Sequence, residues 1–390
     1  MTFNDRYGLP LTTSSSAAAE YFGVALDHSL AGNAPAESAF DAAIAGDEGF
    51  ALPYVGKARA AQFRGAAAEA KAAITRAREL APAATRREQQ HIEAVGAAID
   101  GNSVRSLELV NEHLADFPRD AFVASQAMGV YGLIGFSGRQ ERNSEQLEFC
   151  EKLAPHYGDD WWFLASHAFA LNELFRTNEA RPLAERSIGL YERNGHAAHT
   201  MAHVFYEEGN PPAGAAFLDQ WVVGYEPGAQ LYGHLNWHLA LFELISGRTD
   251  RALALYDRVL RPAAGASAAL GIIADSASFL WRTGLATAED LSSRWPEVGD
   301  FAAKAFPRAG ITFADVHCAL ALAAAGNQAC MGILIDSLKD RLEAGKVPAG
   351  PVVVALAEGA CAFAAGDYET AIRHIEPLRH EVVRIGGSHA

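Results

Sequence analysis

The stretch NGHAAHTMAHVFYEEGNPPAGAAFLDQW (194–221) decides the fold class. Its first half carries apolar residues at helical spacing, a turn falls at Gly209–Asn210, and an amphipathic helix resumes with Ala215 five residues beyond Asn210. The same unit recurs along the chain: AGNAPAESAFDAAI (31–44), RGAAAEAKAAITRARELAP (64–82), FRTNEARPLAERSI (175–188), SGRTDRALALYDRVL (246–260) and AGDYETAIRHIEPLR (365–379). In the copy at 175 the turn glycine is replaced by Phe175.

A helix, a tight turn and a second helix rich in small residues form the rhythm of tetratricopeptide repeats, whose Ala and Gly let paired helices approach closely. Successive turns are irregularly spaced, so the copies are degenerate. Pro-containing connectors such as GYEPGAQ (224–230) and AGKVPAGP (344–351) break helices but are too short for domain linkers. The expectation is an all-α fold: one continuous, curled α-solenoid over 1–390, with a polar site in the middle repeats at about 160–320.

Composition sets the remaining bounds. The 390 residues are half apolar and carry a net charge of −15, which leaves no basic stripe for nucleic acid. Cys150, Cys318, Cys330 and Cys361 show neither CxxC pairing nor metal-finger spacing, so reduced thiols and a cytoplasmic location are expected. MTFNDRYGLPLT does not read as a signal peptide, and no apolar run is long enough for a membrane span.

The chemistry is concentrated in histidine. Counted back from Gly209, His196, His199 and His203 lie at −13, −10 and −6. His234 and His238 lie at −13 and −9 from Gly247, and His317 lies at −9 from Gly326. At about 100° per residue these six share an arc of roughly 100° on the first helices of successive repeats. In the helix expected to end at Gly284, Asp275 and Arg282 fall on the same arc. So do Glu207, and Trp162 and Glu173 in the helix before Phe175. The last repeat places Val353, Leu356, Ala357, Ala360 and Ala364 there, and the helix before Gly65 only Arg59, so the polar face is not a property of the repeat itself.

Imidazoles four apart can chelate a metal together, and Glu173, Glu207 or Asp275 would complete a His/carboxylate set for a divalent ion. Without a metal, the same groups suit acid–base catalysis at His199, His203, His238 and His317, with Asp275 orienting an imidazole. Arg282 would anchor an anionic ligand, with Glu173, Glu207, His196, His234, Trp162, Trp237 and His389 around it. Hydrolysis, elimination or isomerisation would suit such groups, and no cofactor is required. The competing expectation is an interaction scaffold that grips a peptide along a polar groove. His28, His91, His113, His156, His374 and His380 are scattered and read as surface or core.

AHTMAHVFYEEGN, GHLNWHLALFELISGRTDRALALYD, DSASFLWR, FADVHCALALAAAG and VRIGGSHA together resemble the tetratricopeptide repeat protein 38 family, over nearly the whole chain. The resemblance implies a curled helical-repeat fold and marks His199, His203, His234, His238, Asp275, Arg282, Asp315, His317 and His389 as motif residues. It implies no reaction. Two departures stand out: Tyr206 then Glu207 where the family has its acidic residue one position earlier, and an end at Ala390 where the family continues past GGSHA.

Overall fold

The computed structural model describes residues 3–34 and 36–388 of the chain. Among these, a two-residue antiparallel pairing of Phe3–Asn4 with Pro10–Leu11 is accompanied by twenty α-helices. The fold is all-α and built from helix pairs. The residues group into two compact units: one takes the chain to Ile134, Asn143–Val204 and Gly224–Leu231, and the other takes Gly135–Arg142, Phe205–Val223 and everything from Tyr232.

In the first unit the helices are α1 (Ser16–Ala31), α2 (Ala36–Gly46), α3 (Ala51–Phe63), α4 (Ala67–Leu80), α5 (Arg86–Ile99), α6 (Ser103–Asp116), α7 (Ala121–Ala127), α8 (Arg142–Tyr157), α9 (Trp161–Asn172) and α10 (Thr177–Leu190). Of α11 (Gly195–Glu207), the part up to Val204 belongs here too. The pairs α1/α2, α3/α4, α5/α6 and α9/α10 pack as antiparallel hairpins. The second unit holds α12 (Pro211–Trp221), α13 (Tyr232–Ile245), α14 (Thr249–Leu255), α15 (Ala269–Ala286), α16 (Trp295–Ala305), α17 (Thr312–Ala324), α18 (Gln328–Glu343), α19 (Val352–Ala364) and α20 (Tyr368–Ile375). There α13, α15, α17 and α19 pack each on the next, while α14, α16, α18 and α20 back them.

The turn residues explain the hairpins. Gly65, Gly101, Gly209, Gly247, Gly326 and Gly366 take left-handed backbone angles, which a side chain disfavours. Phe175 holds the same position at φ 58°, alone among the described non-glycine residues, and its ring is largely exposed. Five residues past these turns stand Ala70, Ser106, Ala180, Gly214, Ala252, Met331 and Ala371, all buried. At six of the seven turns the residue is small, which lets the two helices of a pair approach closely, and after Gly326 the α17/α18 pair accommodates Met331 instead. One expected turn is absent: Gly284 lies inside α15, which runs on to Ala286 and ends in extended backbone at Thr287. A glycine near a helix end does not terminate it while the neighbouring residues keep helical angles.

A buried polar network closes the N-terminal part of the first unit. Asp120 caps α7 and accepts from Arg87 Nη1 at 2.8 Å, with His91 Nδ1 and His113 Nε2 each at 3.1 Å. Burial alone would raise the Asp120 pKa, but His91, His113 and Arg87 hold it well below the usual carboxylate range. Arg87 also donates to Pro10 O, and Glu88 accepts from Thr12 N at 2.9 Å while completing a capping box with Thr85. His91 and His113 are therefore structural core, each holding one ring nitrogen against the same carboxylate.

Close packing gives a direct test. A Cβ at Gly214 would lie 2.5 Å from the Phe242 ring. Gly214→Ala is expected to destabilise the chain by about 1–3 kcal/mol through overpacking. Thermal unfolding should show a lower midpoint, largely restored in Gly214→Ala/Phe242→Leu; an unchanged midpoint in the single variant would show that the helices are not in contact there.

Candidate functional site

Each unit carries its own set of buried histidine and acidic side chains. In the second unit the set is built on α13, α15 and α17. His234 Nδ1 lies 2.8 Å from Asp275 Oδ1, and Asp275 is 4% exposed. A carboxylate oxygen accepts, so Nδ1 carries the hydrogen in this pair. The His234 side chain is 25% exposed, which keeps it reachable from solvent. His238, one turn on, is buried with its ring 4.8 Å from that of His234, and the two offer ligand nitrogens within 4.8 Å of each other.

Trp237 is the platform beneath this set. Its Nε1 donates to Ser278 Oγ at 3.1 Å, fixing the indole. The His234 ring stacks on it at 5.1 Å and 11°, and the Arg282 guanidinium lies 5.5 Å from its centroid. His317 on α17 places Nδ1 2.7 Å from Phe313 O, which fixes its tautomer with the lone pair on Nε2. Burial holds the His317 pKa below its ordinary value, a push that Arg282 adds to and Asp275 opposes. The arrangement thus combines an imidazole paired with a carboxylate, a neutral imidazole and a cation on adjoining helices. A carboxylate–imidazole pair can transfer protons, and a guanidinium can hold an anion.

In the first unit, His199 and His203 face each other on one side of α11 with Nε2 atoms 3.0 Å apart. Phe169 of α9 packs flat against His199 and edge-on to His203. Glu173, the residue that ends α9, puts Oε1 3.8 Å from His203 Nδ1, an ion-pair rather than a hydrogen-bond separation. His196 packs instead against Gly32 and Leu231. Its pKa falls to about 4, chiefly from burial and secondarily from the Arg59 guanidinium. Arg59 is itself part-buried and donates to Phe122 O and Ser125 Oγ.

Other expected residues are placed differently. Trp162 is a core residue edge-on to Tyr157. Asp315 accepts the Gly310 N–H on both oxygens, 3.0 and 3.2 Å away, and serves the start of α17. Burial raises its pKa to about 6. Glu207, in the second unit, has a buried Oε1 with no hydrogen-bond partner. His389 lies outside the described residues. An open cleft in the second unit is lined by Ser137, Gln140, Pro348, His380 and Arg384, none of them among the candidate residues. Ser278, which positions the Trp237 indole, was missed by sequence reading; its place three residues after Asp275 was the available signal.

No protein-family model matches the chain. Among solved structures, the TPR domain of P58(IPK) aligns over 94% of this chain and 96% of that chain, at 16% sequence identity and a TM-score of 0.22. A superposition that loose carries nothing over, so the all-α assignment rests on the helices and turns themselves.

The buried imidazoles set a pH dependence. His196 takes up a proton near pH 4 when folded but near 6.5 when unfolded, so the unfolded chain binds more protons between those values. Stability is therefore lost as pH falls from about 6.5 towards 4, and the lowered His317 adds in the same sense. Urea unfolding of His196→Leu should show a smaller loss of stability between about pH 7 and pH 5 than the parent chain. Equal losses would mean that His196 is not buried as a neutral ring.

Proposed function

We propose that the second unit's polar face binds a small anionic molecule and acts on it by imidazole acid–base chemistry. The observation that carries this reading is the Asp275–His234 pair, one ring away from Arg282 on the shared Trp237 platform. Arg282 anchors the ligand's carboxylate or phosphate through paired N–H donors. His234 Nε2 accepts a proton from the ligand, and Asp275 steadies the imidazolium that results. His238 and His317 line the same helices and return the proton or hold the ligand's oxygen. Proton abstraction, elimination and hydrolysis are the reaction classes this set supports, and substrate selection lies with the groups beside Arg282.

The chain would belong with the tetratricopeptide repeat protein 38 family on the strength of His199, His203, His234, His238, Asp275, Arg282, Asp315 and His317. Four cysteines without a disulfide among the described residues suit a reducing cytoplasm. No described helix is long and apolar enough to cross a membrane.

A thermal-shift screen of small carboxylates, phosphates and sulfonates tests the reading. A subset of these anions should raise the unfolding midpoint of the parent chain, and Arg282→Ala should weaken that response by about tenfold or more, the cost of a charge-assisted contact. Asp275→Asn should spare binding more than turnover. If no small anion stabilises the chain while extended acidic peptides do, the face is a peptide-binding groove and the enzymatic reading fails.

A further inference from the structure

The His199–His203 contact lies wholly in the first unit, uses none of the groups assigned to proton transfer, and has a geometry of its own. Both rings are buried, at 6% and 0% exposure, and both are held in place by Phe169. Their facing atoms are the two Nε2 nitrogens, 3.0 Å apart. Two metal–nitrogen bonds of about 2.1 Å that span this separation meet at roughly a right angle. That is the angle between adjacent positions of an octahedral or square-planar ion, and it is tighter than a tetrahedral zinc site requires.

The surroundings suit a ligand pair. His203 turns its other nitrogen, Nδ1, towards Glu173, which favours the hydrogen on that side and leaves Nε2 as a lone pair. Glu173 is 2% exposed, and its backbone carbonyl accepts from Asn143 Nδ2, which ties down the backbone at the end of α9. A carboxylate behind a ligating imidazole fixes its ring and raises its basicity. The Cβ-to-Cβ spacing of residues four apart on one helix face does the rest. The other buried positions of this helix are Gly195, Ala197, Ala198, Thr200, Met201, Ala202 and Val204, so the two imidazoles are its only buried titratable groups.

We propose that His199 and His203 hold a divalent transition-metal ion at adjacent coordination positions, with Glu173 as the positioning carboxylate behind His203. Water or an anion takes the ion's remaining positions. Binding requires both Nε2 atoms unprotonated, so the hydrogen that His199 donates across the 3.0 Å contact moves to its Nδ1 as the ion enters. The rings need not leave their places. The inference assigns no role to Arg282, Asp275 or His234.

The test loads the full-length chain with Ni(II) or Co(II), removes loose ions by desalting and measures retained metal by mass spectrometry. The parent chain should retain one equivalent, and His199→Ala/His203→Ala should lose it with its helical circular dichroism unchanged. Glu173→Gln should bind in the same place but yield the ion to a competing chelator at about 10–100-fold lower chelator strength, the usual effect of removing such a partner. If the double variant does not fold, the Co(II)-loaded parent chain settles the question. Hyperfine-shifted imidazole N–H proton resonances from two histidines support the site. Their absence, or retention of the same metal content by a folded double variant, overturns it and leaves the 3.0 Å contact as a shared N–H···N hydrogen bond.

Discussion

A carboxylate that is 4% exposed must be paired, and Asp275 is paired with His234. An isolated buried charge costs several kcal/mol, so this one hydrogen bond constrains everything around it. It requires α13 and α15 to pack closely enough for a 2.8 Å contact, and it selects one tautomer of the imidazole. It also fixes the ring on which Trp237 stacks, and through Trp237 the place of Arg282. Close approach of the first helices is in turn what the small residues at the hairpins permit. The chemistry of the face therefore depends on the same packing that builds the fold.

The two histidine sets share a design. Each places imidazoles four apart on a first helix and an acidic side chain from the element next to it against one Nδ1: Glu173 for His203 and Asp275 for His234. The differences decide their assigned roles. His234 is part-exposed and hydrogen-bonded, with a cation nearby, which suits proton transfer to a ligand reached from solvent. His199 and His203 are sealed by Phe169 with nitrogens turned to each other, which suits a bound ion. The Asp120 network shows the third use of the same chemistry: His91, His113 and Arg87 surround one carboxylate and leave it no further capacity, so that set is structural.

Much of the fold was legible in the chain because helix pairs depend on local rules. A left-handed turn favours glycine, and a close crossing favours a small residue five residues later, with Phe175 and Met331 the exceptions. Phe175 was readable as a turn residue from the rhythm around it, although only its φ of 58° shows the strain it accepts. The helical period put the six histidines, Asp275 and Arg282 on one arc. It could not say which carboxylate meets which ring, because that depends on helix-to-helix register. Asp315, marked only by the family resemblance, turns its oxygens back to Gly310. Trp162 obeyed the period too, but its indole is taken up by the aromatic core around Tyr157. Gly284 misled for a simpler reason: a glycine is permitted inside a helix, and nothing local forced α15 to stop. His91 and His113 carried no pattern at all, since residues 22 apart meet only in the folded packing, edge-on to each other and around Asp120.

The measurement that bears most directly on the account is a long-range ¹H–¹⁵N correlation spectrum of the histidine-labelled chain near neutral pH, with His234 assigned by substitution. The account requires His234 to carry its hydrogen on Nδ1 with the lone pair on Nε2, and requires Asp275→Asn to weaken that preference while the neighbouring histidine signals stay in place. A His234 found with its hydrogen on Nε2, or a spectrum indifferent to Asp275→Asn, would contradict the pairing on which the proposed proton transfer depends.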